Sequence, residues 1–554
     1  MNNKTIIKRL ELSPDLKTNP KRLKDFIEMG QNIYLADNDE EEGRRVCEKG
    51  RNIALVQTIK NPAFYEVYLL SLKYLARYFK DFDSYMIFLE HKREPEAQFY
   101  LPRREVLKNK LGIVQGFQDI LDDKLDILTV SVVPGAGKTT LAEFFLSFYM
   151  GLFPDSFNLY VSYTGTIADM FHRSMCDIMF SGEYAWEEIF PNVKLESRSD
   201  KEKYINLNSY KPFKSLTCRS IDASMTGVTR ASGIILSDDL VSGTEEAMNV
   251  QRLENLYQKY VNDAKSRRIK GCKEISIATR WSVHDPIGHF IRENEGNDRA
   301  RFLAYGCYDE NGESQFDYKY NNGFDTFYFK EMENVMDEIT FKCLYMSDPI
   351  ERKGLLYKKE ELQFYLGGLP CDDEGKTKEA DSILGVCDTK DVGTDFNCLL
   401  VVYGYGKKFY LEDVVYDNGS PYTLDELNAN CLVRNKVQMC QFESNKEGSR
   451  TGNEVQRLVN EKGGRCSITK KYTTTNKETR IIVNSDWIKK HVVFKDPSEW
   501  TDMYKKFMQG VLSYVQMGKN KHDDGVDALA MLALYINSFE SSQVEVISRA
   551  SLGF

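Results

Sequence analysis

The pattern of apolar and polar residues divides the chain into segments of different type. Residues 1–97 follow helical periodicity, most clearly in EVYLLSLKYLARYFKDF, and predict a helical N-terminal region. Residues 98–350 alternate amphipathic segments with short apolar runs such as ILTVSVV and NLYVSY, which are typical of strands buried on both faces of a sheet. This alternation predicts an α/β domain with a mainly parallel sheet.

The remaining third of the chain predicts a second α/β domain behind a linker. Residues 351–381 are charged and rich in turn-forming residues, as in LGGLPCDDEGKTKEAD, and predict a connection between domains. Residues 382–554 contain the apolar runs ILGVCDT, NCLLVVYGY and VQMCQFES between helical segments. A final helix is expected from about residue 523 to residue 536.

Composition indicates a folded chain and excludes several classes of protein. The 554 residues are 42% apolar, which excludes intrinsic disorder, and are too many for one hydrophobic core. The 12 cysteines form no CxxC pair or Cys/His cluster, which argues against a zinc ribbon or a secreted disulfide framework. No apolar run reaches the roughly 18 to 20 residues of a membrane span, and the N-terminus has no apolar signal core. We therefore expect a cytoplasmic protein without membrane contact.

The segment ILTVSVVPGAGKTT, at residues 127–140, combines a β-branched strand, a glycine turn and the start of an amphipathic helix. That is the order of elements in a phosphate-binding P-loop, in which backbone N–H groups and the helix N-terminus approach phosphate oxygens. Val132 stands where the motif usually has glycine. We expect Lys138 to neutralise the β- and γ-phosphates of ATP and Thr139 to bind Mg²⁺. The predicted nucleotide-binding residues of the loop are Pro134, Gly135, Ala136, Gly137, Lys138, Thr139 and Thr140.

An apolar strand that ends in two acids supplies the second half of such a site. In SGIILSDDL, Asp238 is expected to hold Mg²⁺ and Asp239 to polarise the attacking water. The alternative is that these acids only cap a helix. Arg230, in SMTGVTRASG, and Arg280, in IATRWSVHDPIGHF, are candidates to stabilise transition-state charge. Thr279, beside Arg280, is expected to contact the γ-phosphate. The alternative for Arg230 and Arg280 is that they bind structural carboxylates.

Acids follow apolar strands or begin a helix at three places in the second domain. Asp388 closes ILGVCDT, Glu443 closes VQMCQFE, and HDDGVDALAM begins a helix with Asp523, Asp524 and Asp527. Converging carboxylates repel one another unless cations lie between them, and their hard oxygen ligands suit Mg²⁺ or Mn²⁺. Two such ions can clamp the attacking and leaving oxygens in phosphodiester cleavage. The alternative is that each acid is a helix cap or a surface residue.

Basic residues are concentrated in one stretch of the same domain. The whole chain carries 74 basic and 83 acidic residues, and its net charge of −9 argues against coating of nucleic acid by bulk charge. A basic stretch beside an acid cluster favours a nuclease that contacts the DNA backbone and not base sequence. The alternative is a solvated surface. The basic residues are Lys462, Arg465, Lys470, Lys471, Lys477, Arg480, Lys489 and Lys490, followed by Lys505, Lys506, Lys519 and Lys521.

The order of these motifs resembles the large terminase subunit of tailed bacteriophages over residues 98–540. VVPGAGKTT is similar to the family's Walker A segment, and MTGVTRASGIILSDDLV to its glycine and arginine segment followed by Walker B. IATRWSVHDPIGHF resembles its ATPase coupling motif, and FKCLYMSDPIERKG the end of its motor domain. GVCDTKDVGTDFNCLLVV, FES and KHDDGVDALAM resemble its nuclease triad. The resemblance implies a P-loop ATPase domain followed by an RNase H-like nuclease domain.

The resemblance also implies roles for individual residues. Many relatives carry an arginine inside the Walker A loop, where Gly135 or Ala136 stands here, so weight shifts to Arg230 or to an adjacent subunit. Arg103 and Arg104 lie either near the adenine or on the surface. Carried over, the metal ligands are Asp388, Glu443 and Asp524, with Asp527, Asp523 and Asp395 as neighbours.

The expected function is therefore a viral terminase large subunit. Such a protein uses ATP and Mg²⁺ to package double-stranded DNA into a procapsid, and cuts concatemeric DNA with Mg²⁺ or Mn²⁺. The implied partners are double-stranded DNA, a portal protein, a small terminase subunit and further copies of the chain in a ring, in the host cell cytoplasm. The alternatives are a DNA translocase or helicase whose second domain only binds nucleic acid, and a structural assembly protein without turnover.

Overall fold

The computed structural model places the chain in two compact units, Met1–Ile350 and Glu351–Phe554. The four-part division expected from the sequence, at residues 97, 350 and 381, stays a prediction. The residues that the structure describes are 3–225, 227, 229–321, 323–336, 338–350, 354–372, 374–389, 396–443, 448–472, 476–516, 520 and 523–540.

The first unit is built on an eight-stranded sheet in the order β3-β4-β5-β2-β6-β7-β1-β8. Six neighbouring strands, from β5 to β8 in that order, are parallel, and β3 and β4 are antiparallel additions at one edge. The mainly parallel sheet predicted from the apolar runs is confirmed, because the central strands are buried along their whole length. The strands are β1 (Ile127–Ser131), β2 (Asn158–Ser162), β3 (Leu195–Ser199), β4 (Tyr204–Leu207), β5 (Leu216–Ser220), β6 (Ile234–Asp238), β7 (Lys273–Ile277) and β8 (Ala300–Ala304).

Helices surround this sheet and precede it. The first four helices share a core of their own, which includes Leu23, Phe26, Val46 and Phe79, so the predicted helical N-terminal region is confirmed. The helices are α1 (Asn3–Glu11), α2 (Pro20–Asp37), α3 (Glu40–Thr58), α4 (Ala63–Phe79), α5 (Phe82–Leu89), α6 (Tyr100–Arg104), α7 (Ile113–Leu121), α8 (Lys138–Leu152), α9 (Gly165–Phe180), α10 (Trp186–Ile189), α11 (Thr244–Ala247), α12 (Val250–Lys259), α13 (Pro286–Glu293), α14 (Thr326–Val335) and α15 (Glu338–Leu344).

The second unit contains a seven-stranded mixed sheet in the order β14-β13-β10-β11-β12-β15-β9. The strands β10, β11 and β12 form an antiparallel meander, and β13 and β14 lie parallel to β10 on its other side. This five-strand arrangement is the RNase H-like one, so the expected fold of the second domain is confirmed. The strands are β9 (Gln363–Tyr365), β10 (Ser382–Asp388), β11 (Asn397–Tyr405), β12 (Lys408–Asp417), β13 (Met439–Glu443), β14 (Ser467–Lys471) and β15 (Val492–Lys495).

The segment predicted as a linker contributes to this sheet. Its strand β9 pairs in parallel with β15 at the sheet edge. A strand of three residues is too short to show a pattern that would predict this pairing. Among the described residues, no helix is long and apolar enough to cross a membrane. The helices of the second unit are α16 (Pro421–Arg434), α17 (Gly448–Glu461), α18 (Lys477–Val483), α19 (Ser485–His491), α20 (Asp502–Ser513) and α21 (Asp524–Glu540).

Candidate functional site

The P-loop connects β1 to α8 through a turn that needs glycine. Gly135 and Gly137 have φ angles of 78° and 96°, in the left-handed region that side chains with a Cβ avoid. A Cβ on Gly137 would also lie 2.5 Å from Cε2 of Phe99. The loop therefore ends tightly against the start of α8, whose first residue is Lys138.

Strand order brings Thr279 beside the P-loop lysine. Because β7 lies between β1 and β6, the residues that follow β7 lie between the P-loop and the acids at the end of β6. Lys138 Nζ lies 3.1 Å from Thr279 Oγ1 and 3.1 Å from Asp239 Oδ2, and the Thr279 backbone N–H donates to Asp239 Oδ1 at 2.7 Å. Asp239 has a φ of 40°, an uncommon backbone conformation for an L residue. The structure thus brings Lys138, Thr279 and Asp239 together.

Asp238 is the buried acid of this site. Its Oδ2 accepts hydrogen bonds from Thr139 Oγ1 and from the Tyr160 hydroxyl, each at 3.0 Å. Its Oδ1 has no hydrogen-bond partner among the described residues. Burial, with the nearby Asp239 carboxylate, raises the pKa of Asp238 to about 7. A buried carboxylate oxygen without a partner beside a threonine hydroxyl is the hard donor set that Mg²⁺ prefers, so these residues fit the expected ion.

A cavity of about 680 Å³ opens in front of these groups. Four of the predicted loop residues line it, whereas Ala136, Gly137 and Thr140 do not. The wall also contains hydrogen-bonding side chains that the sequence motifs do not predict, among them Glu143 on α8 and Tyr160 on β2. The signal for Glu143 is a single acid inside an otherwise apolar helix. The polar and aromatic lining includes Pro134, Gly135, Lys138, Thr139, Glu143, Tyr160, Asp238, Asp239, Thr279 and Trp281.

Arg280, Arg230 and Arg103 are not among the described residues that line the cavity. Arg280 is 5% exposed and its Nε lies 2.9 Å from Oδ2 of Asp285, which caps α13, so the structural alternative describes it. Arg230 is exposed and does not line the cavity as far as the structure describes its walls. Arg103 stacks on Phe99, behind the loop, with its guanidinium carbon 4.7 Å from the ring centroid.

In the second unit, three segments bring their acids to one region. Asp388 ends β10 and Glu443 ends β13, which is the parallel neighbour of β10, so the two carboxyl groups meet and hydrogen-bond to each other. Asp524 and Asp527 lie in the first turn of α21, which packs on β10 and β11. Asp388 is 6% exposed, and its Oδ2 has no hydrogen-bond partner among the described residues. Burial and the neighbouring carboxylates raise the pKa of Asp388 well above its ordinary value.

Two cations of α18 lie between these acids. Lys477 Nζ is 2.8 Å from Asp523, 3.3 Å from Asp524 and 3.6 Å from Asp527. Arg480 donates to both carboxylate oxygens of Asp527, at 2.7 and 2.6 Å, and its Nη1 lies 3.6 Å from Glu443. We call Asp388, Glu443, Asp523, Asp524 and Asp527 the carboxylate cluster. The basic stretch predicts that both cations contact the DNA backbone or lie on a solvated surface, whereas the structure places them in this cluster.

The cluster has the donors for a divalent ion without the arrangement of a filled site. In the described parts of the chain, no group of three or more His, Cys, Asp or Glu side chains is arranged to hold a metal ion. The unpartnered Asp388 oxygen and the number of buried carboxylates nevertheless fit a hard cation. The ammonium of Lys477 lies among the acids where such an ion would be expected. Asp395, expected as a neighbour, lies outside the described residues.

The basic stretch is not one continuous charged surface. Besides Lys477 and Arg480, two of its members are paired: Lys462 with Glu426 at 2.9 Å, and Lys489 with Glu361 at 2.6 Å. Lys470 and Lys471 are exposed on the edge strand β14, and Lys505 and Lys506 are exposed on α20. Lys519 and Lys521 lie outside the described residues. DNA contact by the exposed members stays a prediction.

Comparison with known proteins gives solved structures alone. No family model and no curated protein matches the sequence. The large terminase of a thermophilic bacteriophage superposes with a TM-score of 0.42 at 11% identity, over 79% of this chain and 99% of that chain. The HK97 bacteriophage large terminase superposes with a TM-score of 0.33 at 10% identity, over 81% of this chain and 98% of that chain. A third structure is the human cytomegalovirus terminase nuclease domain, soaked with Mn and bound to an inhibitor. It superposes with a TM-score of 0.26 at 10% identity, over 33% of this chain and 95% of that chain.

Proposed function

We propose that this chain is a viral terminase large subunit, an ATPase that packages double-stranded DNA and an endonuclease that cuts it. One observation carries the proposal: a P-loop site and a separate cluster of buried acids occur in the two units of the same chain. The motif order in the sequence supports the same combination. The neighbouring structures include large terminases and a terminase nuclease domain.

In the ATPase unit, each polar group of the cavity has a task. Lys138 would leave Asp239 for the β- and γ-phosphates, which frees Asp239 Oδ2 to accept a proton from the attacking water. The Thr279 N–H holds the other oxygen of Asp239 and so fixes the carboxylate plane. Thr139 and Asp238 would hold Mg²⁺. Arg230, or a residue of a neighbouring copy, stays the proposed source of transition-state charge.

In the nuclease unit, Asp388, Glu443 and Asp524 would hold the divalent ions. Bound there, such ions supply positive charge for the attacking and leaving oxygens of a phosphodiester. The chain's own contribution is to bury these acids, since burial removes the water that would otherwise screen their charge. Asp527 is oriented by Arg480 and is placed beside the ligands.

The proposed partners follow from this activity. They are double-stranded DNA, a portal protein, a small terminase subunit and further copies of this chain in a ring, in the host cell cytoplasm. The exposed residues Lys470, Lys471, Lys505 and Lys506 are the proposed DNA backbone contacts, which would weaken as salt rises.

One observation favours a second candidate, a translocase whose second unit binds nucleic acid without cutting it. The ammonium of Lys477 lies within 3.6 Å of three acids of the cluster, and the described residues show no group of acids arranged to hold a metal ion. Under this alternative the cluster is an internal ion-pair network, and Mn²⁺ should not bind to it.

Two single substitutions test the main proposal. Lys138→Ala should abolish DNA-stimulated ATP hydrolysis, by at least about 100-fold, because the phosphates lose their main counter-charge, and should leave Mn²⁺-dependent cutting of plasmid DNA intact. Asp388→Ala should abolish cutting and leave ATP hydrolysis intact. The measurements are phosphate release and agarose-gel conversion of supercoiled plasmid.

An exposed lysine of the first unit provides the matched control. Lys124→Ala, with a side chain 62% exposed, should change neither activity. Loss of both activities in Lys138→Ala or in Asp388→Ala would refute two independent sites. Intact ATP hydrolysis with no plasmid cutting by the wild type in Mn²⁺ would favour the translocase.

A further inference from the structure

Helix α18 presents two cations to the carboxylate cluster from one face. Lys477 and Arg480 are three residues apart, a spacing that places side chains on the same side of a helix. The helix begins after Asn476, whose side chain accepts a hydrogen bond from the Thr479 N–H at 3.2 Å. The apolar residues Ile481 and Ile482 that follow are fully buried and anchor the helix. Both cations therefore reach the same group of acids from a fixed support.

Arg480 is bound in a way that leaves little freedom. It is 5% exposed, and its two hydrogen bonds occupy both oxygens of Asp527, which is 1% exposed. A guanidinium that meets a carboxylate through two parallel bonds is geometrically fixed and always charged. Both oxygens of Asp527 are therefore already engaged by a cation that keeps its charge at every ordinary pH.

Lys477 is bound differently to the same cluster. Its side chain is 37% exposed, and its ammonium is shared among three aspartates at 2.8, 3.3 and 3.6 Å. An ammonium is a point charge on a flexible stem, so it can swing towards solvent without breaking a paired geometry. A divalent cation seeking Asp524 would meet this like charge at close range and would have to displace it.

We infer that Lys477 is an exchangeable counter-ion, which a divalent cation displaces, whereas Arg480 is a permanent one that withholds Asp527 from metal binding. The inference rests on the proposed nuclease function and deepens it. In the absence of the ion, Lys477 supplies part of the counter-charge of the buried acids. Once displaced, it frees Asp524 Oδ1 and leaves Asp388, Glu443 and Asp524 as ligands.

Titration of the full chain with Mn²⁺ in the absence of nucleotide tests this assignment. The binding at issue is the part that Asp388→Ala removes, measured by calorimetry or by the electron paramagnetic resonance of free Mn²⁺. Lys477→Met, which keeps the stem and removes the charge, should bind Mn²⁺ at least about tenfold more tightly than the wild type. The matched control is Lys462→Met, because Lys462 is similarly exposed but paired with Glu426; its affinity should not change.

A second variant covers the risk that Lys477→Met does not fold without metal. Lys477→Arg keeps the charge but offers the acids a bidentate partner, so it should weaken Mn²⁺ binding and lessen the rise of Tm that Mn²⁺ produces in the wild type. Arg480→Lys should lower Tm by a similar amount with and without Mn²⁺, since Arg480 is not displaced.

The possible outcomes distinguish a failure of this inference from a failure of the proposed nuclease function. Equal or weaker Mn²⁺ binding by folded Lys477→Met, or unchanged binding by Lys477→Arg, would overturn the exchange. A metal-dependent loss of Tm in Arg480→Lys would overturn the permanent role of Arg480. A wild type that shows no Mn²⁺ binding sensitive to Asp388→Ala would instead refute the proposed nuclease site itself.

Discussion

The P-loop site and the carboxylate cluster manage buried negative charge in opposite ways. In the first, one lysine pairs with the more exposed acid, Asp239, and the buried Asp238 keeps an oxygen without a partner beside a cavity of about 680 Å³. In the second, Lys477 and Arg480 lie among the acids themselves. The first site leaves space for a charged ligand, and the second already contains two cations.

The difference follows from how each site is assembled. The P-loop lysine and its threonine come from one continuous segment, and the two acids end a neighbouring strand of a parallel sheet. The carboxylate cluster combines the ends of two strands with the start of α21, which lies far along the chain from both. Its five acids therefore come from three separate segments and not from one motif. These carboxylates repel one another when the protein folds without metal, and the two cations of α18 reduce that repulsion.

The largest expected effect is a loss of stability on breaking a buried ion pair. It compares the pair Arg480–Asp527, within the cluster, with the pair Arg280–Asp285, outside both sites. Arg480→Leu leaves Asp527 buried beside other acids, and Arg280→Leu leaves Asp285 buried with backbone N–H groups but no cation beside it. Each should lower the free energy of unfolding by about 3–5 kcal/mol. Urea denaturation followed by tryptophan fluorescence measures both. Mn²⁺ should recover part of the loss in Arg480→Leu, because it can neutralise the cluster, and none in Arg280→Leu.

An exposed pair gives the scale for these changes. The side chain of Arg457 is 52% exposed and pairs with Glu454 at 2.6 Å, so Arg457→Leu should leave the free energy of unfolding almost unchanged. If Mn²⁺ changed the free energy of unfolding of Arg480→Leu and of Arg280→Leu by the same amount, Arg480 would not neutralise a metal-binding cluster. The contrast between the sites would then be lost.

A smaller effect tests how far the first site depends on its local turn. Gly137→Ala places a Cβ at a φ of 96° and 2.5 Å from the Phe99 ring, so it should cost about 1–3 kcal/mol and weaken ATP binding. Gly182→Ala is the matched control, since its φ is 80° but nothing lies within 4 Å of the new Cβ. Its cost should be near 1 kcal/mol, with ATP binding unchanged. Equal costs and unchanged ATP affinity in both variants would contradict the dependence on the turn.

The sequence predicts the parts of each site that depend on neighbouring residues or on strand ends. Lys138 and Thr139 follow from a continuous motif. Asp388 and Glu443 follow because the ends of adjacent parallel strands meet at one sheet edge. Both α/β folds follow from the alternation of apolar runs and amphipathic segments.

The sequence does not predict contacts that depend on which face of a helix turns inward. Lys477 and Arg480 lie in a basic stretch that looks solvated, and only the packing of α18 brings them to the acids. Their spacing of three residues before two buried isoleucines is the one signal for an inward face. Arg280 was open to two interpretations because the sequence does not show that Asp285, five residues later, folds back onto it.

The smallest effect concerns an acid of the first site that has no cation of its own. Glu143 lines the cavity, is 8% exposed and accepts a hydrogen bond from Ser174, and burial raises its pKa to about 8. In the unfolded chain this carboxyl loses its proton near an ordinary pKa of about 4.3, whereas the folded protein retains the proton up to about pH 8. Between these values the unfolded state binds fewer protons, so stability falls as pH rises.

Glu143→Gln removes this contribution because glutamine stays neutral at every pH. Between pH 6 and pH 7 the unfolding free energy of the wild type should therefore fall relative to that of the variant by about 1 kcal/mol, without nucleotide. Urea midpoints at the two pH values measure the difference. Asp238→Asn provides a comparison, since the pKa of Asp238 is also raised, to about 7, and the same sign should appear up to that pH. A wild-type curve parallel to that of Glu143→Gln would mean that Glu143 is ionised in the folded protein, and that the cavity wall, like the carboxylate cluster, has a cation within reach.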